Sequence, residues 1–140
     1  MKNIVVEGCQ FEIYEGGSLN PSGVVAVDSS SIVSAKAKID NKGVYTKLNV
    51  TVSNFSSSLV TGWIPLSGST TTPVGVSIPG QISASSQYNK ENGSAVFLEG
   101  DQAANVTIYG KVQSGQTQID ATTTITIKIK SAGQSNTKGD

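Results

Sequence analysis

The residues able to do chemistry in this chain are few, and most of them are carboxylates. Glu7, Glu12 and Glu15 fall close together near the start, and Glu99 and Asp101 flank Gly100 further on. A retaining glycosidase works with two carboxyls about 5 to 5.5 Å apart in a cleft, and nothing in the sequence signals a cleft. For Glu99 and Asp101 the plainer expectation is a turn in solvent whose acids cap the backbone. The same oxygens could hold calcium weakly, but EF-hand spacing is absent. The chain has no His, which removes Ser-His and Cys-His nucleophiles and any imidazole zinc site. Its one cysteine, Cys9, follows Gly8 in apolar surroundings and is expected to be a buried, inert thiol. Gly16-Gly17 lacks the spacing and the Lys-Ser/Thr ending of a phosphate loop. These exclusions argue against an enzyme, and no cofactor, metal or small-molecule substrate is expected.

The composition narrows the partners. Charged residues make up 14% of the chain, hydrophobic residues 36%, and the net charge is zero. Ten Lys and no Arg leave the chain without the guanidinium fork that reads guanine or clamps phosphate, so nucleic acid is not an expected partner. Lys36/Lys38/Lys42 and Lys128/Lys130 sit at alternating or turn positions and read as solvated strand faces. No segment approaches the roughly 18 apolar residues of a membrane span, and the start MKNIVVEG lacks the apolar length of a signal peptide. Synthesis in the cytoplasm without membrane anchoring is therefore expected.

The elements that must position these residues read as strands. Ser and Thr number 33 and Gly 15 among 140 residues, a composition that disfavours helices and suits a sheet with many turns. A single all-β domain of antiparallel hairpins is expected over residues 1–134, with a polar, frayed tail over 135–140. Lys2 to Tyr14 reads as a first strand broken at Glu7-Gly8, with Val6, Cys9, Phe11 and Ile13 inside. Val24 to Val27 is a short apolar run ended by Asp28-Ser29-Ser30-Ser31. Ile32 to Ile39 alternates, placing Val33, Ala35, Ala37 and Ile39 inside and Ser34, Lys36 and Lys38 outside. Asp40-Asn41-Lys42-Gly43 is hairpin-turn chemistry leading into Val44 to Val52. Residues 62–80 read as a long connection with short strands at most, around Val60 and from Val74 to Ile78. That connection contains Trp63, which fits either core and edge packing or a partner contact. Val112 to Gln116 is a further turn. Asp120 to Lys130 shows the clearest alternation, with Thr123, Ile125, Ile127 and Ile129 on one face.

The central expectation concerns residues 92–110. Ala95 to Leu98 and Asn105 to Tyr109 read as two arms of a β-hairpin, with Glu99-Gly100-Asp101 as its turn and Gly100 taking a positive φ. A degraded copy lies earlier, Gly43-Val44-Tyr45 followed by Asn49-Val50-Thr51-Val52. The copies are preceded by Val33-Ser34-Ala35 and Ile82-Ser83-Ala84. Two copies are too few for a solenoid.

The Gly8-Cys9 step after the first strand, the V-F-L-E-G-D segment from Val96 to Asp101, and the Ala132-Gly133-Gln134 sequence after the closing strand resemble PAAR-like proteins. These cap the spikes of contractile injection systems, including type VI secretion, phage tails and extracellular particles. The resemblance touches roughly half of the chain. It implies a conical or sandwich-like sheet structure docked on a trimeric β-helical spike, as part of an injection particle or virion, with Gly100-Asp101 as the hairpin signature. Many members of that family bind zinc at the tip through His and Cys; this chain has no His, so the resemblance implies a tip held by packing. From another class, a β-sandwich decoration or carbohydrate-binding module would use Trp63 with Tyr45, Tyr88 or Tyr109 as an aromatic platform.

Overall fold

The computed structural model describes residues 1–65, 78–86, 90–91 and 93–140. The described residues form strands joined by turns, with no helix. A five-stranded antiparallel sheet dominates. Its centre is the hairpin of β12 (Gln102–Ser114) and β13 (Thr117–Ser131), flanked by β2 (Gln10–Glu15) and then β3 (Ser18–Leu19) on one side, and by β8 (Trp63–Pro65) on the other. A second sheet holds β4 (Val24–Val27), β7 (Asn49–Ser53) and β9 (Ile78–Gln81) in that order. Two-stranded pairs complete the structure: β1 (Lys2–Asn3) with β14 (Lys138–Gly139), β5 (Ile32–Ile39) with β6 (Lys42–Lys47), and β10 (Lys90–Glu91) with β11 (Ser94–Ala95).

Strand β13 behaves as its alternation requires. Ile125, Ile127 and Ile129 are each no more than 1% exposed, and Thr123 joins them on the inner face. They pack with Ile13, Ile108, Val50, Val52, Leu48 and Phe55 in one core. Each such apolar side chain contributes on the order of 2 kcal/mol by leaving water. Gly115 (φ +64°) closes the two-residue turn from Ser114 to Thr117, so the expected turn over 112–116 is confined to 115–116. At the other hairpin, Asp40 (φ 55°) and Asn41 (φ 63°) both take the left-handed region that a type I′ turn demands, and Ile39 pairs with Lys42.

The run Ile4-Val5-Val6 is buried throughout because it lies between two apolar clusters. Val5 enters the main core, while Ile4 and Val6 pack with Val44, Val96 and Leu98 in a second cluster. Segments from the two sequence copies flank it. Val6 bridges Val44 and Ile4 bridges Leu98, while Glu7 N–H donates to Gly43 O at 3.0 Å and Val5 N–H to Phe97 O at 2.9 Å. Aligned residues share a destination: Val44 and Val96 enter the second cluster, Tyr45 and Phe97 the main core.

Several expectations are corrected. In β5, Ser34 is buried and Ala35 exposed. The Ser34 hydroxyl accepts N–H bonds from Lys36 and Ala37 at 3.2 and 3.0 Å, and this local alternative to the ladder breaks the alternation. The register between β5 and β6 shifts over the same residues. The tail is not frayed: β14 pairs with β1, and Gln134 Nε2 donates to Ile4 O and Thr137 O, both at 2.7 Å. Val60 lies in a bend outside any strand. Of the segment from Val74 to Ile78, Ile78 begins β9 and the remainder lies outside the described residues.

Candidate functional site

The turn at Gly100-Asp101 forms, with Gly100 at φ +96° and Asp101 N–H donating to Leu98 O at 3.0 Å. The hairpin expected around it does not. Residues 102–114 pair with β13 and β8, and Ala95 in β11 pairs with β10. Leu98 bridges Ile4 across the molecule. The run 96–98 is held by residues 4 and 5 instead, with Val5 N–H donating to Phe97 O and Leu98 bridging Ile4, and its Leu98 N–H goes to Asp101 Oδ2.

Asp101 is 5% exposed, a correction to the expected turn acid in solvent. Its Oδ2 accepts from Leu98 N–H at 2.9 Å and from Ser85 N–H at 3.1 Å, and its Oδ1 accepts from the Ser85 hydroxyl. The surrounding backbone is tied as well. Gly100 N–H donates to Ile129 O at 3.0 Å, Ile129 N–H to Asp101 O at 2.9 Å, and Glu99 N–H to Asn3 O at 2.9 Å. The Gly-Asp step is thus a knot joining β1, β13 and the segment at Ser85. The Glu99 carboxylate adds to the tie with β1, accepting from Asn3 Nδ2 at 2.9 Å.

Glu15 is a second buried carboxylate, fully excluded from solvent. Oε1 accepts from Asn20 Nδ2 at 3.0 Å, Ser58 N–H at 2.8 Å and the Ser58 hydroxyl at 3.0 Å. Oε2 accepts from the Ser57 and Thr123 hydroxyls, both at 2.5 Å. Burial pushes its pKa up, but the hydrogen bonds from Ser57, Thr123 and Ser58 outweigh it and bring the value down to about 2. The sequence held one signal for this burial: Glu15 has the parity of Phe11 and Ile13. The other acids of the first group are also engaged. Glu7 accepts from Gly43 N–H and Glu12 from the Tyr14 hydroxyl, each at 2.9 Å.

Cys9 is half-buried, and burial raises its thiol to about 11, so it is protonated at neutral pH. Trp63 lies against the core at the edge strand β8. Its ring meets Phe55 edge-on at 6.3 Å between centroids and covers Gly110 so closely that an added Cβ would lie 2.3 Å from the indole. Neither Tyr45 nor Tyr109 joins Trp63 in an aromatic platform. Tyr45 is 6% exposed within the core, whereas Tyr109 is half-exposed. Tyr109 also sits at the opposite parity of β12 from Gly110, the residue Trp63 covers. Tyr88 lies outside the described residues.

A cleft does exist where the sequence signalled none. It is an open groove of about 520 Å³ beside Gly100, lined by Lys2, Lys128, Lys130, Lys138, Glu12 and Glu99 among others. Among the described residues, no group of three or more His, Cys, Asp or Glu is gathered to hold a metal. No protein-family model, curated protein or solved structure matches the chain.

Proposed function

We propose that this chain is a structural, non-enzymatic component of a contractile, phage-tail-like injection machine, a PAAR-like cap docked on the end of a trimeric spike. The observation that carries the reading is the use made of Gly100-Asp101. The residues on which the resemblance rests form a buried architectural knot, with the Asp101 carboxylate occupied by three hydrogen bonds. Glu15 is likewise committed to holding Asn20, the loop at Ser57-Ser58 and Thr123 together.

An assembly part also needs surface that a partner covers, and β4 is suited to this. Among the described residues it pairs with β7 on one side only, and it exposes Val24 (54%) and Val27 (39%), an apolar edge of the kind that isolated proteins usually protect. The positions of Tyr45 and Trp63 do not favour the sugar-binding alternative.

The test is native mass spectrometry or light scattering on the chain alone and co-expressed with a trimeric spike protein. One chain per three spike chains is the expected result. A monomer or self-trimer that ignores the spike refutes the cap.

A further inference from the structure

The hairpin of β12 and β13 runs on past the strand that covers its edge. β2 pairs with β13 from Ile125 to Ser131, whereas β12 pairs with it back to Thr117, so residues 117–124 have a neighbouring strand on one side only among the described residues. They project as an arm, with Thr117, Gln118, Ile119, Asp120 and Thr122 all exposed. The two-residue turn makes Ser114 and Thr117 a hydrogen-bonded pair. Alternation from there points the Ile119 amide toward β12 and the amides of Gln118 and Asp120 toward the open side.

An edge of this kind is normally guarded by lysine, proline or a bulge. From Thr117 to Thr124 the sequence is TQIDATTT, with one charge, no lysine and no proline, and the register with β12 is continuous from Val106 to Ser114. The one charge, Asp120, is paired with Lys111 at 3.1 Å within the chain. The arm therefore carries no net charge to repel another strand.

The register selects a second copy as that strand. Trp63, Val112 and Ile119 stand opposite one another in turn across β8, β12 and β13, a row of apolar side chains that stops at the open edge with Ile119 49% exposed. A copy related by a two-fold axis through this position sets Ile119 against its own counterpart and continues the row through a second Val112 and a second Trp63. On the other face Gln118 meets the Asp120 of the copy, so an amide donor stands across from a carboxylate and no like charges are opposed. The same contact fills both open edges at once, which an unrelated strand does not.

We infer that two copies of this chain pair through residues 117–121 of β13, antiparallel and centred on Ile119, into one continuous sheet. The pairing rests on this edge and not on the cap reading given above.

The test is sedimentation equilibrium of the full chain at concentrations up to about 1 mM, since so short a contact belongs with the weak interfaces. A monomer–dimer equilibrium is the expected result. Ile119→Lys, which sets two ammonium groups against each other on an exposed arm, should weaken it at least about tenfold with the thermal melt unchanged. Oxidation in a Cys9→Ser background reads the register: Ile119→Cys should give a disulfide-linked dimer, whereas Gln118→Cys, whose copies stand a diagonal apart, should not. A chain still monomeric at about 1 mM, a dimer that Ile119→Lys leaves intact, or a dimer that cross-links faster through Gln118→Cys overturns the inference. Co-expression with the spike reads the cap separately. Ile119→Lys should join the spike as the wild type does, and a wild type that dimerises but ignores the spike refutes the cap while the pairing stands.

Discussion

Glu15 gives the sharpest test of how the core is held. Its carboxyl is buried at the junction of β2, β13 and the Ser57-Ser58 loop, and its pKa falls from the ordinary 4.5 to about 2. A depressed acid stabilises the fold where it is ionised in both states, so the contribution is complete above about pH 4.5 and is lost as pH falls toward 2. A depression of that size corresponds to about 3 kcal/mol, or about 10 °C in melting temperature for a domain of this size. The assay is urea denaturation of the wild type and of Glu15→Gln from pH 7 to pH 2. Gln keeps the shape and one carbonyl acceptor but cannot titrate. The wild type should be the more stable by about 3 kcal/mol at pH 7, and the gap should narrow across pH 4.5 to 2. Acids common to both proteins cancel in the difference. Parallel pH curves for the two proteins refute the reasoning, because the hydrogen bonds to Glu15 would then not depend on its charge.

Three further outcomes follow from the same geometry. Asp101→Ala should destabilise the fold by about 3 kcal/mol in urea denaturation, because it strands the Leu98 and Ser85 N–H groups; a loss under about 0.5 kcal/mol, the range of an ordinary surface substitution, would show that the knot contributes little. Gly110→Ala drives a methyl into the Trp63 indole and should cost about 1 to 3 kcal/mol, with a shift in tryptophan emission as the ring is displaced. Cys9, raised from 9.0 to about 11, should react with a disulfide reagent at pH 8 roughly tenfold more slowly in the folded chain than in urea, since only the thiolate attacks and a more basic thiolate recovers part of the loss; equal rates contradict its burial.

What could be read from the sequence was what short-range physics decides. Period-2 alternation located β13 and its buried isoleucines, and the left-handed tolerance of Asp40-Asn41 located the β5–β6 hairpin. The turn at Gly100 was legible for the same reason. Its partners were not, because pairing Val96 to Leu98 with Asn105 to Tyr109 assumes that neighbours in sequence pair. Here the run 96–98 bonds residues 4 and 5 instead, and the bulge between Ala103 and Val106, with Asn105 at φ 59°, belongs to pairing with β13. The repeat was real in a different sense, since its copies flank one segment instead of forming matching hairpins. The buried carboxylates were missed because a charge is taken as a surface signal until its hydrogen-bond donors are known, and those of Glu15 come from residues up to 108 positions away. The cleft escaped notice because its lysines come from both ends of the chain.

The placement of β2 beside β13 has a consequence for how the molecule is made. Ile13 faces Ile127, and Phe11 faces Ile129, so the second strand to leave the ribosome cannot find its neighbour until nearly the whole chain has been translated. At roughly 5 to 20 residues per second, an amphipathic strand whose edge toward β13 is open waits for several seconds at least. Closing so large a loop favours slow folding, and through that interval the nascent chain depends on holding proteins, or on low local concentration, to keep β2 from pairing with the β2 of another molecule.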